Sequence, residues 1–164
     1  MFEWQIKPLA KKSAGSEREI RTGDRVVCAV FADELGNLDR LDFLKDEFDA
    51  SKIPGRPIGK WERVVSDDPD ADERAAKKIA LASSEDFFIS LFDNAVEVEQ
   101  TDAIKQIFAL LLERKRILRP IGRPSRGFQR YVHAATKREF DVPQKSIDEE
   151  LILKIRTQLA SIII

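Results

Sequence analysis

Residues Val26 to Ala32 read Val-Val-Cys-Ala-Val-Phe-Ala, an unbroken apolar run between Arg25 and Asp33. A strand turns successive side chains to opposite faces, so this run would present Val26, Cys28, Val30 and Ala32 on one face and Val27, Ala29 and Phe31 on the other. Neither face can be left in water. The segment is therefore predicted to be the central strand of a sheet covered on both sides. Thr22-Gly23-Asp24 before it is turn chemistry, which predicts a short strand over Arg18 to Arg21 paired across that turn. Asp33-Glu34-Leu35-Gly36-Asn37 after it contains Gly and Asn, which tolerate positive φ, and Leu41 and Phe43 then alternate with Arg40 and Asp42. A second hairpin follows. Trp4 and Ile6 suggest an opening edge strand, and Lys60 to Val65 a closing one after the Pro54-Gly55-Arg56-Pro57 loop. The first 65 residues thus read as a small antiparallel sheet.

The polar run from Ser66, with Asp67, Asp68, Pro69 and Asp70, marks an acidic linker over 66–82. Ser83-Ser84-Glu85-Asp86 has the form of a capping box, and Phe87, Phe88, Leu91 and Phe92 share one helical face, which predicts a helix over about 84–96. Thr101-Asp102 can cap a second helix, with Ile104, Ile107, Phe108, Leu111 and Leu112 at helical spacing and Ala109 and Leu110 widening the apolar arc. The two would form a helical hairpin. Pro120, Gly122, Pro124 and Gly127 argue against a regular element between Leu118 and Phe128. Phe128 to Val132 and Arg138 to Val142 read as a β-hairpin, ended by Pro143. Ser146-Ile147-Asp148-Glu149 opens a final amphipathic helix bearing Ile147, Leu151, Ile155, Leu159 and Ile162, running nearly to the terminus. The expected fold class is α+β in a single domain over 1–164. Three terminal isoleucines, Ile162 to Ile164, would either cap the core or meet a second subunit.

Several function classes are poorly supported by composition. Cys28 is the only cysteine, so no intrachain disulfide or thiolate zinc cluster can form, which suits a reducing, cytoplasmic setting. No run approaches the roughly 20 apolar residues of a membrane span, and Met1 to Lys12 lacks an export signal's apolar core. His133 is the only histidine and reads as a surface or turn residue; Cys28 reads as a small core residue. The Asp67–Asp72 acids do not fit a calcium loop, because the sixth and twelfth positions are Asp72 and Lys78 in place of Gly and Glu. Neither common nucleotide-binding glycine loop is present. No catalytic residue, metal ligand or cofactor is assigned.

What stands out is charge. Formal net charge is −1, yet Arg114, Lys115, Arg116, Arg119, Arg123, Arg126, Arg130, Lys137 and Arg138 fall within 25 residues that contain no Asp or Glu. Arg114, Lys115 and Arg116 suit a helix C-terminus, where cations complement the dipole. Lys137 and Arg138 suit hairpin surface. Arg119, Arg123, Arg126 and Arg130 remain on the Pro/Gly loop and the strand after it, with Phe128 and Tyr131 as stacking partners. These four arginines and Tyr131 are the candidate binding residues. The eleven acids between Asp67 and Asp102 directly precede the stretch, so pairing within the chain is the first explanation.

Trp4-Gln5-Ile6, the block Leu110-Leu111-Leu112-Glu113-Arg114-Lys115-Arg116-Ile117-Leu118, and Tyr131-Val132-His133 through Phe140-Asp141-Val142-Pro143 together resemble, in that order, a group of bacterial proteins of unknown function. Gly122-Arg123-Pro124 is also similar to the core of the AT-hook, with Ile121 where that element has arginine. The group resemblance implies a bacterial cytosolic protein and carries no functional residue across. Its members often have cysteine near the position of Ser13; Ser13 and Ser16 here give that loop no metal-binding character. The expected function is a non-enzymatic binding or structural module acting through contact with a protein partner or as a homo-oligomer. Nucleic-acid or phosphate binding through the Arg119–Arg130 loop is the alternative, and a carboxylate-based enzyme a further one.

Overall fold

The computed structural model describes residues 6, 7, 9–65, 73–93 and 101–163; of the side chains over 73–79, only that of Lys78 is described. Strands β1 (Arg25–Ala32), β2 (Leu38–Leu44) and β3 (Arg56–Val64) form an antiparallel sheet in the order β2-β1-β3. β1 is central, as its two apolar faces require. The register pairs Val30 with Arg40, Cys28 with Asp42 and Cys28 with Trp61, so Arg40, Asp42 and Trp61 share the face of Val26, Cys28 and Val30. The opposite face pairs Val27 with Phe43 and Ala29 with Leu41. Residues 45–55, with two short 3-10 turns, lie over that face: the Phe48 ring meets Phe43 edge-on at 5.5 Å. Gly55 fits because it has no side chain; a Cβ there would stand 2.8 Å from the Phe31 ring and 2.5 Å from the Ala32 carbonyl.

Two expectations for this half give way. Arg18 to Arg21 forms no strand: Lys12 bridges Glu19 instead, and the Gly23 N–H donates to the Val65 carbonyl, closing the turn onto the end of β3. Ile6 joins no sheet edge but bridges Ile163. Trp4 and the Ser66–Asp72 linker lie outside the described residues.

Helix α1 runs from Glu73 to Asp93, so it takes up ten of the residues assigned to the linker. Ser83 and Ser84 do not cap it. Both are buried inside it, and the Ser84 hydroxyl donates back to the Ala80 carbonyl at 3.0 Å, a bond that lets serine sit within a helix. Phe87, Phe88 and Leu91 form the buried face as the spacing predicted. Helix α2 (Thr101–Arg114) packs against α1, with Phe87 and Phe108 edge to face at 5.1 Å. The second sheet holds β4 (Leu118–Ser125), β5 (Phe128–His133) and β6 (Glu139–Pro143), all antiparallel in chain order. β4 is a correction to the expected loop. It forms because an edge strand tolerates proline, whose missing N–H costs no ladder bond on the open side. Helix α3 (Glu149–Gln158) is capped by Asp148, whose carboxylate accepts from the Leu151 N–H at 2.8 Å; Ser146 is two residues too early.

One continuous core joins both sheets and all three helices, from Val26, Cys28 and Trp61 through Phe87, Phe108 and Leu112 to Tyr131, Phe140 and Ile155. α3 stops short of the terminus, and a turn then sends Ile162 and Ile163 into that core. The Lys7 N–H donates to the Ile162 carbonyl at 2.9 Å. Two of the terminal isoleucines therefore cap the core of their own chain.

Candidate binding surface

The surface is built by the way α2 hands over to β4. The Ile117 N–H donates to the Leu112 carbonyl at 2.9 Å and that of Arg116 to Glu113 at 3.0 Å, with Arg116 left-handed at φ 62°. This double closure is a Schellman stop, and it places arginine where glycine is usual. β4 then pairs Leu118 to Ile121 with β5 in register, and four steps on β4 from Ile121 to Ser125 answer two on β5. The slack is a bulge with Gly122 at φ 68°. Gln129, buried beneath it, donates through Nε2 to the Ile121 carbonyl at 3.2 Å and to the Arg130 carbonyl at 2.9 Å. The bulge is thus held by a side chain. Arg126 and Gly127 close the hairpin at φ 55° and 79°, the two positive values of a type I′ turn.

The pleat divides the second sheet in two. Leu118, Gln129, Tyr131, His133, Phe140 and Val142 are buried on the helix side. Arg119, Ile121, Phe128 and Arg130 are exposed on the other, with Val132 half-buried among them. Toward the tip every residue from Arg119 to Phe128 is exposed.

Of the candidate residues, Arg119, Arg123 and Arg126 come together here, and no described residue pairs with their side chains. Arg130 is partly spoken for, its Nε donating to Asp141 Oδ1 at 2.9 Å in an exposed pair. Tyr131 is set apart. Its ring lies on the core side at 4% exposure, and burial, with the Glu113 charge second, pushes its hydroxyl pKa up. Stacking on this surface falls to Phe128 alone, 45% exposed.

Among the described residues, pairing with the upstream acids accounts for little of the cationic stretch. Asp93 takes Arg138 at 2.8 Å, while Asp102 takes Lys145 at 3.2 Å, beyond the stretch. Asp86 approaches Arg63 of β3 at 3.8 Å, and Glu85 meets His133 at 2.6 Å. The pairings proposed for Asp67, Asp68, Asp70, Asp72, Glu97 and Glu99, and for the side chain of Glu73, lie outside what is described.

His133 corrects the surface reading. It is 5% exposed at the end of β5, with its Nδ1 accepting from the N–H groups of Ala135 and Thr136 at 3.2 and 3.1 Å. Two donors aimed at Nδ1 place the ring proton on Nε2, which donates to Glu85. The ring thus ties α1 to the β5–β6 turn. Its place two residues beyond Tyr131 and four beyond Gln129 on one strand face was the available signal.

A second polar group also escaped the sequence reading. On the core face of the first sheet Arg40 Nε donates to Asp42 Oδ1 at 2.7 Å, both side chains 5% exposed. Arg40 Nη1 donates to the Lys7 carbonyl at 2.7 Å, Asp42 Oδ2 accepts from the Ala10 N–H at 2.8 Å, and the guanidinium lies 5.6 Å from the Trp61 ring. The Ser13 hydroxyl accepts from the Leu44 N–H at 3.0 Å. Together these contacts pin Lys7, Ala10 and Ser13 to the sheet. Cys28 sits within this group, where burial, with Asp42 second, drives its thiol pKa far up and disfavours the thiolate.

Among the described residues no cluster of three or more His, Cys, Asp or Glu could hold a metal ion, and no helix is long and apolar enough to cross a membrane. Comparison of the chain with family models, with curated proteins and with solved structures finds no match.

Proposed function

We propose that this protein is a non-enzymatic binding module acting through protein contact, and that the outer face and tip of the β4–β5 hairpin are its contact element. The observation that carries this reading is a set of three arginines without side-chain partners among the described residues, Arg119, Arg123 and Arg126, beside exposed Ile121 and Phe128. Arginine and aromatic residues set among apolar ones are the composition of protein interface centres. Pro120, Pro124 and the bulge blunt β4 as an edge, so the contact would run through side chains and not through an added strand. The matching partner surface is acidic.

Single-stranded nucleic acid is the second reading, favoured by Phe128 exposed among the arginines. It has one stacking ring where a strand-binding groove uses several. Binding of the full chain to immobilised polyglutamate and to a single-stranded oligonucleotide separates the two. Retention on polyglutamate that falls with salt, and is lost in the triple variant Arg119→Ala, Arg123→Ala, Arg126→Ala, is the expected result. Tighter retention on the oligonucleotide at equal salt would move the assignment to nucleic acid.

A further inference from the structure

One hydroxyl lies within the unpaired arginines. Ser125 is the last residue of β4, exposed, and its side chain makes no hydrogen bond with a described residue. Arg123 stands two residues before it and Arg126 directly after; no other Ser or Thr in the chain has arginine two positions before it. The backbone from Arg123 to Ser125 is the end of β4, paired there only through Ser125 to Phe128 with Pro124 offering no N–H, and it turns left-handed directly after, at Arg126. The space is open as well. A Cβ added at Gly122 or at Gly127 would meet nothing within 4 Å.

An exposed hydroxyl at the end of a strand, with a guanidinium two residues upstream, is a form that an arginine-directed serine kinase can take as substrate. Such an enzyme can clamp the arginine with carboxylates while the hydroxyl reaches the γ-phosphorus in line. We propose that Ser125 is a phosphorylation site that switches off the hairpin contact, an inference that rests on the hairpin being the contact element. The donor is a nucleoside triphosphate. The bond from Ser125 Oγ to the γ-phosphorus forms as the bond to the β-phosphate bridging oxygen breaks; the nucleoside diphosphate leaves, and the hydroxyl proton passes to the kinase's base. The added group carries roughly −1.5 to −2 charges, against three positive charges on Arg119, Arg123 and Arg126. Arg123 and Arg126 are the cations placed to bond it, which withdraws them from an outside partner. The tip that attracted an acidic surface drops from three positive charges to roughly one.

Left-handed Arg126 fits this account. A type I′ turn favours Asn, Asp or Gly at that position, and a cation held there at a conformational cost points to a use for its charge.

The test incubates the full chain with ATP and the catalytic subunit of cyclic-AMP-dependent protein kinase, locates the modified residue by fragment mass, and measures polyglutamate binding before and after. The expected result is one phosphoryl group at Ser125. It should be absent in Ser125→Ala and slowed roughly tenfold or more in Arg123→Ala at an unchanged melting temperature, and binding of the phosphorylated chain should weaken roughly tenfold. No modification at Ser125 of the folded chain overturns the site. Modification with unchanged binding overturns the switch. The unmodified control reads separately: if it does not bind polyglutamate, the contact reading fails while the fragment mass still decides the site.

Discussion

The two three-stranded sheets treat arginine in opposite ways. In the first, Arg40 is buried on the core face, bonded to Asp42 and to the backbone of Lys7, and it holds the N-terminal segment against the strands. In the second, Arg119, Arg123 and Arg126 stay in water without partners among the described residues, and Arg130 makes only an exposed pair. The difference comes from covering. The first sheet has packing on both faces, so charge beneath that packing, as at Arg40, must be neutralised inside, while Arg25, Arg56, Lys60 and Glu62 at its margins stay exposed. The second is covered on its helix side alone, so its outer face can hold charge uncompensated. A buried arginine here explains architecture, and an unpaired exposed one asks for a partner.

The sharpest way to break that comparison is to remove one acid from each sheet. Asp42→Ala leaves the Arg40 guanidinium buried without its carboxylate and frees the Ala10 N–H, which should cost about 3–5 kcal/mol. Asp141→Ala should cost far less, because the Arg130 pair is solvated. Urea unfolding of both variants measures the difference. Equal losses would mean that the Arg40 pair is no more structural than the surface pair.

A smaller effect tests the seam between the sheets, where α1 faces β3 through Asp86 and β5 through Glu85. Burial, against the pull of Arg63, pushes the Asp86 carboxyl up to about 6 from an ordinary 3.8, with neighbouring Glu85 adding to the rise. The sign follows from which state holds the proton. Above pH 6 both folded and unfolded chains carry the charge, and the folded one bears the full burial penalty. As pH falls from about 6 toward 3.8 the folded chain takes up the proton first, and the penalty lifts. Asp86→Asn should therefore stabilise the protein near pH 7.5 and make no difference near pH 4. With 34% of the side chain exposed, solvent screening reduces the gain to about 1 kcal/mol. Unfolding at the two pH values checks it, and an equal effect at both would place the Asp86 charge in solvent.

The parts of this fold legible in the sequence are those in which one local pattern decides. Seven apolar residues in a row can only be a doubly covered element, and β1 is one. Phe87, Phe88 and Leu91, and then Ile104, Ile107 and Phe108, mark helix faces that the core takes up intact. Where two signals compete, the reading failed. Ser83 and Ser84 carry a cap signature, yet Ala75, Ala76, Ile79, Ala80, Leu81 and Ala82 before them are mostly helix formers, and the helix begins at Glu73. Pro120 and Pro124 forbid a central strand but not an edge, and no single-chain pattern states which one β4 would be. The candidate surface was legible as charge and composition. Its geometry was not, because Tyr131 and Gln129 face the core by virtue of the helices packed on the other side. Arg40 and Asp42 were least legible of all. They alternate with Leu41 and Phe43 as surface residues would, and only the cover that residues 45–55 give the Phe43 side turns the charged side inward.

The smallest effect bears most directly on the second sheet. Arg126 occupies a left-handed position at which asparagine sits with less strain and asparagine followed by glycine is the preferred pair. Arg126→Asn should therefore raise stability by about 0.5 kcal/mol, since Gly127 already follows and a Cβ there would meet nothing within 4 Å. The same change removes one of three unpaired charges and should weaken retention on polyglutamate. A thermal melt and a salt-dependent binding curve on one variant read both effects. Opposite signs in the two measurements are what a residue kept for contact at the expense of its turn would give; a gain in stability with unchanged binding would reduce Arg126 to an ordinary turn residue and leave Arg119 and Arg123 as the contact.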